Sequence, residues 1–360
     1  MTAAATKTDV AAGAWSIADE VVRLREWGTD RVHALPVPPI DAWSVGTREA
    51  CSLRLADPLA SREHARLVRE HGMWSIRDLG SKNGLRCDGA VCEGFVLKPG
   101  VEIGIGATTL IAESRRSMGL HGFLCRILGW GSGRMDAVDH ALRSVRLAAT
   151  RRTALHLFGE ADLVPIAHAL HRHTLGADRP FVLCDRRRHD TQESVRSVLN
   201  HVKGVAGFEA ATGGSLCVRS RRLPSDFPAV VARLRKPGSR VQLIVCADDR
   251  VDDGRCFTVP IQVPPIKARR AELGRIIDEY AGDAAVALDV PHASFSDADR
   301  AWIVKHAASS LPEIEKATLR RMAVAVFSGD LTGAAARLGM ARVSLARWMD
   351  RRKTPARAAS

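Results

Sequence analysis

Ser61, Ser81 and Asn83 are the residues of this chain whose type and setting best suit them to hold a ligand. They stand among glycines and short apolar runs, where turns are expected. Small polar side chains on turns can join backbone amides in a concavity that binds an anion. The competing reading is that such side chains only bond their own backbone. Other groupings fall short of chemistry. Asp248-Asp249 and Asp252-Asp253 are paired carboxylates, but they sit beside Gly254 in a polar loop and read as a solvated turn. His189-Asp190, near Ser194, lacks the oxyanion donors that a hydrolase needs. The eight cysteines are scattered, with no C-x-x-C pair and no His cluster at zinc spacing. Free thiols are expected, Cys87 and Cys92 included, with no metal, no cofactor and no enzymatic activity.

The elements around these turns read as β structure. Trp74, Ile76 and Asp78 alternate with Ser75 and Arg77, as a half-buried strand requires. Gly72, Gly80, Gly84, Gly89, Gly94 and Gly100 recur between the apolar runs and mark turns, a pattern that favours an all-β sandwich. The ordered set Val45-Gly46, Asp57-Pro58, Ser61-Arg62-Glu63-His64, Trp74 and Asp78-Leu79-Gly80-Ser81-Lys82-Asn83-Gly84 continues through Leu97-Lys98-Pro99-Gly100 to Ile103-Gly104-Ile105-Gly106. This set resembles the forkhead-associated (FHA) domain, a β-sandwich that holds phosphothreonine peptides on its loops. The domain is expected over residues 20–116. The resemblance implies that Ser61 bonds the phosphate, that Arg62 and His64 order the loop, and that Asn83 holds the ligand backbone. Ser81 and Lys82 would complete the phosphate side.

One position departs from the family pattern. Where the family carries Gly-Arg, this chain has Gly46-Thr47, and Arg48 comes one residue late. A strand residue shifted by one points to the other face. Loss of a charge-assisted contact costs about 1.5–3 kcal/mol. Phosphopeptide binding is then weakened or relies on Arg48 or Lys82, and a phosphate-independent protein contact is the alternative.

The C-terminal residues read as helices. Ile314, Leu319, Met322, Ala323 and Val326 recur at helical spacing between Glu313 and Phe327. Ser328-Gly329-Asp330 breaks that helix and caps a short one from Leu331 to Leu338, which Gly339 ends. Met340 is expected as a buried turn residue. A third helix, Ala341 to Arg352, would turn Val343, Leu345 and Trp348 or Met349 inward. The line from Gly329 to Met349 resembles the Fis-type helix-turn-helix, which implies an all-α DNA-binding domain over residues 296–355. By the same resemblance, Asp299 to Phe327 would form a homodimer. The residues expected at DNA are Thr332, Arg342, Val343, Ser344, Arg347, Arg351 and Arg352. Arg342 and Arg347 are the base readers, and Arg351, Arg352 and Lys353 meet phosphates. An Ala-rich protein-binding bundle is the alternative.

Between these parts, apolar runs at Leu155–Gly159, Phe181–Cys184, Ser215–Val218 and Val241–Val245 alternate with a helical stretch from Val164 to His173. The order suggests a parallel-sheet α/β domain over residues 120–290. Gly159-Glu160, His171-Arg172-His173, Arg179-Pro180-Phe181-Val182, the segment Phe208 to Leu216 and the segment Val263 to Arg270 resemble the AAA+ domain of sigma-54 activators. Its chemistry is missing. A P-loop needs a second glycine, a lysine and a hydroxyl, and Ala161-Asp162-Leu163-Val164-Pro165 supplies none. Arg219-Ser220 stands where the family has the magnesium-binding Asp-Glu. No sigma-gripping loop is recognisable between Arg188 and Gly207.

The chain is multidomain at 360 residues, and its formal net charge of +13 suggests a polyanionic partner. No apolar run reaches the length of a membrane span, and Met1 to Thr8 lacks the apolar core of a signal peptide, so a cytoplasmic protein is expected. These readings add up to a DNA-binding transcription regulator. Its expected partners are DNA and a threonine-phosphorylated protein, the substrate of a Ser/Thr kinase. A phospho-dependent adaptor without site-specific DNA binding is the alternative.

Overall fold

The computed structural model describes residues 19–37, 42–151, 153–190, 198–249 and 260–353 of this chain; Asp252, Asp253 and Ser194 lie outside them. The first part is a β-sandwich. One sheet holds β1 (Val21–Glu26), β2 (Val32–Ala34), β7 (Leu85–Cys87), β8 (Ala90–Cys92), β10 (Glu102–Ile105) and β11 (Thr108–Ser114), in the order β2-β1-β11-β10-β7-β8. The other holds β3 (Ala42–Gly46), β4 (Leu53–Arg54), β5 (Ala65–Glu70), β6 (Met73–Asp78) and β9 (Gly94–Val96), in the order β4-β3-β5-β6-β9. Its ladders are antiparallel except β3 with β4.

The alternation read at Trp74, Ile76 and Asp78 is the burial pattern of β6. Trp74 and Ile76 are buried between the sheets with Leu24, Val45, Leu67, Leu85, Ile103 and Leu110, and Asp78 is half-buried at the strand end. Gly94 departs from the expected turns, because it lies within β9. A Cβ there would come within 2.7 Å of the Ile76 carbonyl oxygen, so the close approach of β6 requires glycine.

Ser114 ends β11 and caps α1 (Arg115–Leu128), exchanging hydrogen bonds with Ser117. α2 (Met135–Arg151) follows. Next come β12 (Leu155–Gly159), α3 (Val164–Leu175), β13 (Phe181–Cys184), β14 (Leu199–His201), α4 (Gly204–Ala210), β15 (Ser215–Arg219), α5 (Phe227–Leu234), β16 (Gln242–Ala247) and β17 (Ile261–Val263). These six strands form one parallel sheet in the order β14-β13-β15-β16-β12-β17. β13, β15 and β16 are near-continuous apolar runs, buried along almost their whole length as central parallel strands are. Cys217 and Cys246 lie on adjacent strands with their Sγ atoms 3.7 Å apart, and both are free thiols.

Five helices end the described chain: α6 (Leu273–Ala287), α7 (Asp297–His306), α8 (Leu311–Val326), α9 (Leu331–Arg337) and α10 (Arg342–Lys353). Asp330 caps α9 by accepting from Thr332 N and Gly333 N, and Gly339 takes the left-handed turn at φ 61°. Leu345 and Trp348 turn inward as the periodicity requires, but Val343 is 53% exposed and Met340 is only half-buried. Val326 is exposed as well. On α8, Ile314, Ala317, Thr318, Met322 and Ala323 are buried within the chain, so the segment assigned to dimer contact spends that face internally. One apolar core runs from Leu120 on α1 through the parallel sheet to Trp348 on α10.

The sandwich is fastened to α2 by charge. Arg25 of β1 donates through Nε to Glu113 (2.9 Å) and through both terminal nitrogens to Asp139, and all three side chains are buried. Arg143 bonds Glu102, and Arg146 bonds Asp88 at 2.7 Å. The Arg143 guanidinium lies 4.2 Å from the Trp27 ring centre.

Candidate functional site

At the other end of the sandwich, four connections converge. β3 ends at Gly46, and Thr47 N and Arg48 N donate to the carbonyls of Ser61 and Arg62 at 3.1 Å each. A Cβ on Gly46 would sit 2.3 Å from the Arg62 oxygen, so only glycine allows these two loops to meet. His64 is fully buried beneath them. Its Nδ1 accepts from Ser61 N at 3.0 Å, which leaves Nε2 to donate to the Gly84 carbonyl at 3.2 Å. One imidazole therefore joins the Ser61 loop to the loop after β6.

The same two loops meet at the surface. Ser61 Oγ accepts from Lys82 N at 3.0 Å, which leaves the hydroxyl hydrogen free to donate outward. Asn83 Nδ2 donates to the Leu59 carbonyl at 2.7 Å. Ser81 is turned inward to Asp78, with its Oγ donating to Oδ1 at 2.6 Å. Lys82, Arg62 and Arg48 are exposed around this junction. The structure thus brings together Thr47, Arg48, Ser61, Arg62, His64, Ser81, Lys82 and Asn83.

Arg48 differs from its expected place. β3 has already ended at Gly46, so strand alternation does not decide its direction. It lies exposed on the loop, with Nη1 2.7 Å from Glu63 Oε1, within the Ser61–His64 segment.

Two carboxylates that the sequence reading passed over hold the loops in shape. Asp57 is buried and accepts from Leu59 N, Ala107 N, Thr108 N and Thr108 Oγ1 at 2.7–2.9 Å. Burial pushes its carboxyl upward, but these hydrogen bonds outweigh that and hold it below the ordinary range. Asp78 accepts from Gly80 N and Ser81 N at 2.9 Å, and it too is held low against the opposing effect of burial. The usable signal was an Asp directly before each turn, where Asx turns form.

Loops at one end of a β-sandwich that present backbone amides, a hydroxyl and exposed cations have the chemistry of an anion site. Residues 43–106 match the FHA domain family, and this part of the chain is an FHA domain. Solved structures it resembles include an FHA domain described for phosphothreonine-dependent interactions (24% identity, 26% of this chain and 97% of that one, TM-score 0.25). Another is the FHA domain of a Chlamydia trachomatis protein (23% identity, 26% of this chain and 95% of that one, TM-score 0.24). A third is EmbR of Mycobacterium tuberculosis in complex with a low-affinity phosphopeptide (22% identity, 29% of this chain and 28% of that one, TM-score 0.25). No curated protein matches the chain.

Two further places carried sequence expectations. Parallel sheets bind ligands outside the carboxyl ends of their strands. There Arg219, ending β15, donates to both oxygens of Asp162 at 2.8 Å and to Asp185 Oδ2 at 2.6 Å, and Arg222 reaches Asp185 at 3.3 Å. Asp162 lies on the β12–α3 connection, so this ion cluster occupies the junction of the two. Asp248 and Asp249 are exposed and paired with Arg221, in keeping with a solvated turn.

On the C-terminal helices, Thr332, Arg342, Val343, Ser344, Arg347 and Arg351 are exposed. Arg352 is not turned to solvent as expected. It bonds Glu313 at 2.5 Å and lies 4.5 Å from the Trp348 ring centre, drawn in by a carboxylate and an aromatic face on its own fold. Among the described residues there is no cluster of His, Cys, Asp and Glu that could hold a metal, and no helix long and apolar enough to cross a membrane.

Proposed function

We propose that this chain is a non-catalytic regulator that reads a threonine-phosphorylated protein with its FHA loops and docks on DNA through α8–α10. The FHA domain supports phosphothreonine-dependent recognition, with Ser61, Lys82 and Arg48 as the phosphate contacts and Asn83 as the ligand-backbone contact. The DNA reading is carried by the split character of α10. Leu345 and Trp348 are buried, while Arg342, Ser344, Arg347 and Arg351 share the exposed side. A helix so divided can enter a major groove with its N-terminal residues at the base edges, as in a helix-turn-helix. The parallel-sheet part serves as an AAA+-derived scaffold. In support, its strand-end junction is filled by Arg219, Asp162 and Asp185, where nucleotide hydrolysis needs phosphate-cradling amides, a lysine and a metal site.

The test is genome-wide crosslinking of the protein to DNA, with and without the Arg342→Ala/Arg347→Ala pair. Sharp peaks sharing one sequence element, lost in the variant, are expected, since each base-reading arginine contributes about 1–3 kcal/mol of discrimination. Diffuse binding that the variant leaves unchanged would refute the DNA reading and leave a phospho-dependent adaptor.

A further inference from the structure

Where the sandwich meets α2 and the parallel sheet, the described residues form a partly open cavity of about 580 Å³. It lies at the α2 end of the sandwich, away from the phosphate loops, and no role discussed above uses it. Trp74 and Leu97 of the sandwich, Leu142 and Val145 of α2, and Leu170 and Ile244 of the sheet part all face it. Small-molecule sites favour such junctions, span about 300–1,000 Å³ and are mostly apolar.

The charges in the wall decide what fits. Glu113 and Asp139 are paired with Arg25, and Glu102 with Arg143. Asp19 and Lys98, also in the wall, are exposed and opposite in sign. An ionic ligand would therefore find the buried counter-charges already taken and only the exposed Asp19 and Lys98 left, whereas an apolar one gains from every apolar wall it touches. We propose that this cavity binds an uncharged, largely apolar small molecule. Because its walls come from three parts of the chain, an occupant favours their docked arrangement over any in which the sandwich has swung away.

The experiment titrates the full-length protein with N-phenyl-1-naphthylamine, a neutral apolar fluorophore. Two cavity-filling variants, Val145→Trp and the milder Ala148→Leu, are titrated beside it, with thermal melts to verify folding. Saturation at one dye per chain is expected, weakened about tenfold or more by filling the cavity. The melting temperature of the unaltered protein should rise with dye. If the tryptophan variant does not fold, the leucine variant decides. Two results would overturn the proposal: no saturable binding, or binding undiminished in a folded filled variant.

Discussion

Replacing Asp139 with asparagine should loosen the FHA domain from the rest of the chain without unfolding it. Asp139 accepts from Arg25 Nη1 at 3.1 Å, from Arg25 Nη2, and from Gly28 N at 2.7 Å, with both side chains at most 1% exposed. Asparagine keeps the shape and the bond from Gly28, but it removes the charge. Arg25 retains Glu113, so the guanidinium is half-compensated rather than stranded. Removing one partner of a buried pair costs about 3–5 kcal/mol, and the surviving carboxylate argues for the low end. A loss of about 3 kcal/mol is roughly 150-fold in the docking equilibrium. Hydrogen exchange reads this locally. Amides of the β1–β2 turn and α2 should exchange much faster, while those of Leu67 and Ile76 keep their protection. Arg25→Met with Asp139→Leu should recover part of the loss, because the desolvation of both groups vanishes together while Glu113 keeps its bond from Arg23 at 2.7 Å. Unchanged exchange at the turn in Asp139→Asn, or a double variant worse than the sum of the two singles, would refute the reasoning.

Two other outcomes follow from single residues. Gly46→Ala places a methyl group 2.3 Å from a backbone oxygen, so the Thr47 and Ser61 loops must part. The strain of about 1–3 kcal/mol should appear as lost phosphopeptide binding by calorimetry, with the sandwich still folded. His171 is buried between Ser215 Oγ and the Arg179 carbonyl, and burial drives its pKa down to about 4. The unfolded chain therefore binds the extra proton between about pH 6.5 and 4, and stability falls as pH drops through that window. The loss is up to about 3 kcal/mol, and urea titrations at successive pH values should flatten in His171→Gln.

Sequence made legible those features that report on neighbours along the chain. Trp74 and Ile76 gave the strand because alternation needs only their own spacing, and Gly339 marked a left-handed turn because few residues adopt one. Ser61, His64 and Asn83 were readable through their order along the chain. The partners of these residues were not. Arg25 and Asp139 lie 114 positions apart, and Asp57 binds amides 50 and 51 positions away. Periodicity says which face is buried but not what waits on the other side. Val343 shows the same limit. The first turn of the third helix is exposed at Arg342, Val343 and Ser344 alike, and the chain buries that helix only from Leu345 on. Arg352 was assigned to phosphate by its charge, and charge alone does not reveal that Glu313 and the Trp348 ring hold it.

The ion cluster around Arg219 has a thermodynamic consequence for the proposed regulator. A machine that burns nucleotide can hold its output away from equilibrium and run in one direction. On the proposed reading, in which Asp162 and Asp185 are held by Arg219, the chain has no such fuel inlet at its strand ends. Everything it transmits must then be reversible and symmetric. Whatever factor a phosphopeptide adds to its affinity for DNA, DNA must add to its affinity for the phosphopeptide. Its memory of a signal lasts only as long as the phosphate stays on the partner, so the kinase and phosphatase acting on that partner keep the time.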